Sequence, residues 1–231
     1  MKRFLPILMA VLLTSCVQTV PVRPQAQYDL RINPNSRDEL FIDDIGVSLR
    51  PIMPERAKNI EALHMTYQYW NPQNPSQKGV EKTLMVSLPS FEVQVTNSTQ
   101  FSAQFHRTTA RLVDDAGNTY PALLKQDVID LMNQKLDGVE SRGWRFDRSA
   151  ALGSAKALRM FDKNYESLPG ITEKRILSFE LNTMDASQYQ KFLASTKYFR
   201  VMLFNVPVKF DQAGNVAKAT KFEYVFDVVR K

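Results

Sequence analysis

Two five-residue stretches constrain this chain more than any other feature: Asp114-Asp115-Ala116-Gly117-Asn118 and Asp211-Gln212-Ala213-Gly214-Asn215. Asp bonds its own backbone in a turn, and Gly and Asn tolerate positive φ, so both read as hairpin turns. Their flanks agree. TTARLV (108–113) precedes the first turn, and the second lies between KYFRVMLFNVPVKF and VAKATKFEYVFDVV. Residues 83–97 (TLMVSLPSFEVQVTN) put Phe91, Val93 and Val95 on one side of a pleat and Glu92, Gln94 and Thr96 on the other. Such period-2 alternation belongs to a half-buried antiparallel strand. Residues 60–70 (IEALHMTYQYW) alternate in the same way and are rich in aromatics.

Between the hairpins the period changes. Residues 122–137 place Leu124, Val128, Leu131 and Leu136 near helical spacing, and residues 147–163 are rich in good helix formers, with Asp147 or Ser149 available as a cap. The intervening GVESRGW reads as a loop, and residues 185–194 (DASQYQKFLA) as a further short helix. The expected fold is therefore mainly β: an antiparallel sandwich with a helical insertion at about residues 122–165. The run FEVQVTNSTQ to ARLVDDAGNTYPAL, roughly residues 84–123, resembles immunoglobulin-like domains of bacterial lipoproteins, and the likeness recurs weakly at 173–229. That resemblance implies an immunoglobulin-like β-sandwich and no activity. The helical insertion departs from its pattern.

The N-terminus carries an address. Lys2 and Arg3 precede an apolar run from Phe4 to Leu13, which is half the roughly 20 residues a membrane span needs. It reads as a signal peptide over residues 1–15. Leu13-Thr14-Ser15-Cys16 resembles the bacterial lipobox. The resemblance implies cleavage before Cys16, acylation of that residue and anchoring to a lipid bilayer. Val17 stands where an Asp would imply inner-membrane retention, so outer-membrane sorting, facing the periplasm, is implied in a Gram-negative cell. Cys16 is the single cysteine, which excludes an internal disulfide. Residues 16–38, with Pro21, Pro24 and Pro34, read as the lipidated residue and a tether, leaving 39–231 as the domain. Roughly 20 extended residues at ~3.1 Å each would span ~60 Å.

Charge narrows the partners. The formal net charge is +6, and losing Lys2 and Arg3 with the signal makes it +4. This mild basicity suits anionic surfaces but is not the clustered stripe of a nucleic-acid binder. His64 and His106 are the two histidines, too few for a zinc site without carboxylates, and they read as structural. Asp114-Asp115 and Asp43-Asp44 read as turn chemistry, since they lack the oxygen-ligand spacing of a calcium loop. Asn97-Ser98-Thr99 reads as an exposed turn. The sequence shows no nucleophile elbow, S-x-x-K pair or Walker loop. No cofactor, metal or enzymatic activity is expected. The candidate binding residues are Arg142, Trp144, Arg145, Phe146 and Arg148, which interleave cations and aromatics at the presumed tip of the helical hairpin. The favoured alternative for this segment is that Trp144 and Phe146 are core and the arginines are solvated. The expected function is a scaffold or binding module with protein partners in an envelope assembly of secretion or motility type. A glycan or peptidoglycan binder using Tyr67, Tyr69 and Trp70 is the second reading, and a hydrolase the third.

Overall fold

The computed structural model describes residues 27–53, 64–70, 80–85, 89–141, 145–146, 148–180 and 186–231. The segment read as a signal peptide, Cys16 and most of the segment read as a tether lie outside these residues. The described chain is mainly antiparallel β with helices. One open sheet runs in the order β1 (Tyr28–Ile32), β14 (Val216–Arg230), β13 (Tyr198–Phe210), β8 (Thr109–Asp114) and β9 (Thr119–Pro121). A second runs β12 (Thr172–Ser178), β6 (Ser90–Asn97), β3 (Ile45–Ile52) and β2 (Glu39–Ile42). Two smaller sheets complete the set. One joins β10 (Arg145–Phe146), β4 (His64–Trp70) and β5 (Val80–Met85). The other pairs β11 (Glu166–Ser167) with β7 (Ala103–Gln104).

The alternation seen in the sequence is the alternation of burial. Phe91, Val93 and Val95 of β6 are fully buried, while Glu92, Gln94 and Thr96 are half-buried. The first sheet supplies the matching side: Phe199, Val201 and Leu203 from β13, with Phe222, Tyr224 and Phe226 from β14. All belong to one core cluster. The Phe91 and Phe226 rings lie 5.0 Å apart, and the Tyr224 hydroxyl donates to the Val47 carbonyl of β3 at 2.7 Å. Burying each such ring contributes about 1.5–3 kcal/mol. The Tyr224 bond spares a buried hydroxyl the cost of going unpaired.

Both Asp-to-Asn turns are built alike. In the first, the Asp114 amide donates to Asn118 O, and Asp114 Oδ1 accepts from the amides of Ala116 and Asn118. In the second, the Asp211 amide donates to Asn215 O, and Asp211 Oδ1 accepts from Ala213 and Asn215. Gly117 and Gly214 sit at φ 88° and 82°, where a side chain would be strained. Asp43 does similar work in the tight turn between β2 and β3, at φ 50°. The two main turns differ in surroundings. Asp114 is buried and also accepts from the Tyr120 hydroxyl at 2.9 Å, whereas Asp211 is exposed.

Three expectations need correction. Residues 28–38 are not tether. Tyr28–Ile32 pairs with Phe226–Arg230, and Leu30 is buried, so the domain begins at β1. Pro34 lies in the turn after that strand and interrupts nothing within it. Asn97 is not in an exposed turn either. It is fully buried, donating to the carbonyls of Phe101 and Ser167 and accepting from Thr99. The helical insertion also ends before residue 165, because Phe161 and Tyr165 belong to the main core and pack their rings against Phe105, Phe161 edge-on.

Burial pushes the Asp114 carboxyl up, but this is outweighed by the hydrogen bonds from Asn118, Tyr120 and Ala116, which hold it below its ordinary value of 3.8. A depressed carboxyl stabilises the fold above the unfolded value, and the contribution is lost as pH falls through the folded one. Asp114→Asn is therefore expected to cost about 1–3 kcal/mol at neutral pH, since Asn118 Nδ2 and the Tyr120 hydroxyl then lose their acceptor. Urea denaturation across pH checks this: the gap between wild type and variant should shrink as pH falls below 3.8.

Candidate binding surface

The helical insertion consists of α1 (Lys125–Glu140) and α2 (Arg148–Lys156), with β10 between them. Helix α1 starts where Asp127 Oδ2 accepts from the Leu124 amide at 2.7 Å, and the acidic group complements the helix dipole. Its buried stripe is Val128, Met132 and Leu136, at i, i+4 and i+8. Leu124 is exposed and Leu131 half-buried, so the hydrophobic face is rotated from the one expected. Helix α3 (Ala186–Ala194) matches the short helix expected near 185–194 and buries Tyr189 and Leu193.

Of the candidate segment, Arg145, Phe146 and Arg148 are among the described residues. Arg142 and Trp144 lie outside the described residues. Arg145 and Phe146 form β10, an edge strand whose register sets Arg145 opposite Trp70 and Phe146 opposite Tyr69. Helix α2 also packs on β4. The insertion is thus tied to the small sheet instead of projecting freely. Tyr67, Tyr69 and Phe146 occupy positions on one face of that sheet, and Trp70 and Arg145 positions on the other. Two aromatic groups that are far apart in sequence become neighbours through backbone pairing. Sequence reasoning missed this because β10 is two residues long and its partner is more than seventy positions away.

The Arg148 guanidinium pairs with Asp137, reaches Glu140 at 3.2 Å and donates to Asn133 at 3.2 Å, and stays about a third exposed. It clamps the first residue of α2 to the last turns of α1. His64 lies on β4, and His106 is exposed in the turn before β8. Asp114 and Asp115 are parts of a turn, as read.

Beside α1 runs an open groove of about 890 Å³. Leu123, Leu124 and Leu131 line it together with Asp127, Asp130, Asp137 and Glu180. Three of those carboxylates have internal work: Asp127 caps α1, Asp130 accepts from Gln126 and Asp137 holds Arg148. The groove is an acidic, partly apolar surface able to make contacts. Among the described residues no group of three or more His, Cys, Asp or Glu is placed to hold a metal ion.

The Arg148 clamp is partly exposed, so Arg148→Ala should cost under about 1 kcal/mol. Leu136→Ala, which empties a buried site, should cost about 2–5 kcal/mol. Thermal melts of the two variants check the order; an equal loss would make the clamp part of the core energetics. Compared with protein-family models, curated proteins and solved structures, the chain has no match.

Proposed function

We propose that this is a lipid-anchored envelope protein whose β domain binds other proteins and catalyses nothing. Cys16 carries the lipid, and the domain faces the periplasm from the outer membrane of a Gram-negative cell. Its partners belong to an envelope assembly of secretion or motility type. The observation that carries this reading is the order of features at the N-terminus: two cations, a short apolar run, then Leu13-Thr14-Ser15-Cys16. With β1 starting at Tyr28, the linker is residues 17–27, whose fully extended reach is ~35 Å rather than the longer tether first read. The domain works close to the bilayer.

Strand order supports an immunoglobulin-like sandwich. Taking β3, β6 and β12 as strands A, B and E, and β8, β13 and β14 as C, F and G, the sheets read A-B-E and C-F-G. Strand β9 then takes the place of C′ beside C. The helical insertion occupies the stretch where such domains carry strand D. Strands β4 and β5 form an excursion between A and B. The meeting of that excursion with β10 favours a second reading, glycan binding by an aromatic platform at Tyr67, Tyr69 and Phe146, with Trp70 on the opposite face. Co-sedimentation with purified cell-wall sacculi decides for that reading.

Cys16→Ser should abolish incorporation of a fatty-acid analogue and release the protein from membranes, or stall its processing. Metabolic labelling followed by membrane fractionation reads both. Undiminished label on the serine variant contradicts the anchor.

A further inference from the structure

Helix α1 and its approach carry more apolar surface than the core uses. The stripe of Val128, Met132 and Leu136 is buried. Leu124, one residue before the helix, and Leu131 fall outside that stripe, two turns apart along another face. Leu124 is 39% exposed and Leu131 half-buried. A single exposed leucine needs no explanation, but these two line one concavity, the groove of about 890 Å³ beside α1. Leu123 carries its apolar floor across to the chain leaving β9.

The same concavity is acidic in a basic chain. The formal net charge is +6, yet the groove is lined by Asp127, Asp130, Asp137 and Glu180, with no Lys, Arg or His among its lining residues. Two of the four carboxylates are answered within the fold. Asp127 faces the amide end of α1, and Asp137 holds Arg148. The other two are not. Asp130 accepts from the neutral side-chain amide of Gln126, and among the described residues no cation pairs with Asp130 or Glu180, both exposed. Charge of one sign on low-dielectric walls concentrates the field in a cleft. Pro121–Leu124 also line a second groove, of about 380 Å³, where Arg111 and Lys163 stand with Asp162. The preference for cations is therefore confined to the α1 end of the apolar floor.

We propose that the groove beside α1 takes a cationic amphipathic segment of a partner protein. Its apolar residues sit on Leu124 and Leu131, and its lysines or arginines face Asp130 and Glu180. Apolar anchors hold such a segment, and the flanking charges select it. Between Leu124 and Asp137 the α1 wall is ~20 Å long at ~1.5 Å per residue, the length of a helix of about 14 residues. An anionic lipid surface is repelled by the same two carboxylates.

The inference rests on the reading of the domain as a protein-binding module but not on its lipid anchor. Membrane fractionation tests the anchor and titration tests the groove, so the two fail separately. The probes are two synthetic peptides of about 14 residues with leucines at i, i+3, i+4 and i+7. Their polar positions hold lysine in one and glutamate in the other. Each is titrated into the full chain while backbone amide signals are followed by NMR. The lysine peptide should move the signals of Leu124, Leu131 and Gln134 and bind at least about tenfold more tightly than the glutamate peptide. The net charge of the chain attracts the glutamate peptide instead, so this order requires a local acidic site. Asp130→Lys with Glu180→Lys should keep the melting temperature within a few degrees, both positions being exposed, and reverse the preference. Should that double variant fail to fold, Leu124→Ser replaces it: it leaves every charge in place and should weaken the lysine peptide by about fivefold or more. Groove signals unmoved by the lysine peptide, or equal binding of both peptides, would overturn the proposal. So would self-association of the chain that the double variant abolishes, which assigns the groove to a second copy. A cross-linked envelope partner that the double variant retains would leave the protein-binding reading standing and overturn this site.

Discussion

The contact between Phe91 and Phe226, with the Tyr224–Val47 hydrogen bond beside it, is the interaction on which the rest of the structure depends. It joins β6 and β3 of one sheet to β14 of the other. Apolar attraction alone has no direction, so it would let two greasy faces slide. A hydroxyl aimed at one buried carbonyl fixes their relative position, since displacement would leave two polar groups unpaired in the core. Everything attached to the sheets inherits that position: the hairpin tips, the exposed edge of β14 and the start of the helical insertion.

The turns convert this core into outward reach. The β13–β14 hairpin extends past the end of β8, which pairs only with Phe199–Phe204, and past β1 on the other side. Val206 and Val208 remain buried, so the extension is anchored. The ladder accommodates the extension by register shifts, two of which put the extra residue in β13, with Asn205 at φ 56° at one of them.

What the sequence made legible was local. Period-2 alternation marked β6, because each residue's face is set by its neighbours. The Asp-x-Ala-Gly-Asn turns were legible because their hydrogen bonds close within five residues. The helices were legible from their spacing, although the buried face of α1 uses Met132 where Leu124 and Leu131 were read. What failed was non-local. β1 looked like tether because five residues and nearby prolines say nothing about Phe226–Arg230, almost two hundred positions away. Asn97 looked exposed because its partners Phe101 and Ser167 arrive from a loop and from β11. Nor does the sequence show that Asp137 and Glu140 turn toward Arg148. The candidate surface was legible in composition, but not in the pairing of β10 with β4.

One core shared by two sheets has a direct thermodynamic signature, because such sheets open together. Native-state hydrogen exchange on Phe226→Ala reads it. Phe226 belongs to β14, while β6 lies across the core in the other sheet. Loss of the ring should lower the opening free energy of Val93 and Val95 in β6 by the same amount as that of Val201 and Leu203 in β13, about 3–5 kcal/mol. A loss confined to β13, with β6 unchanged, would mean that the two sheets stand independently and would contradict the account.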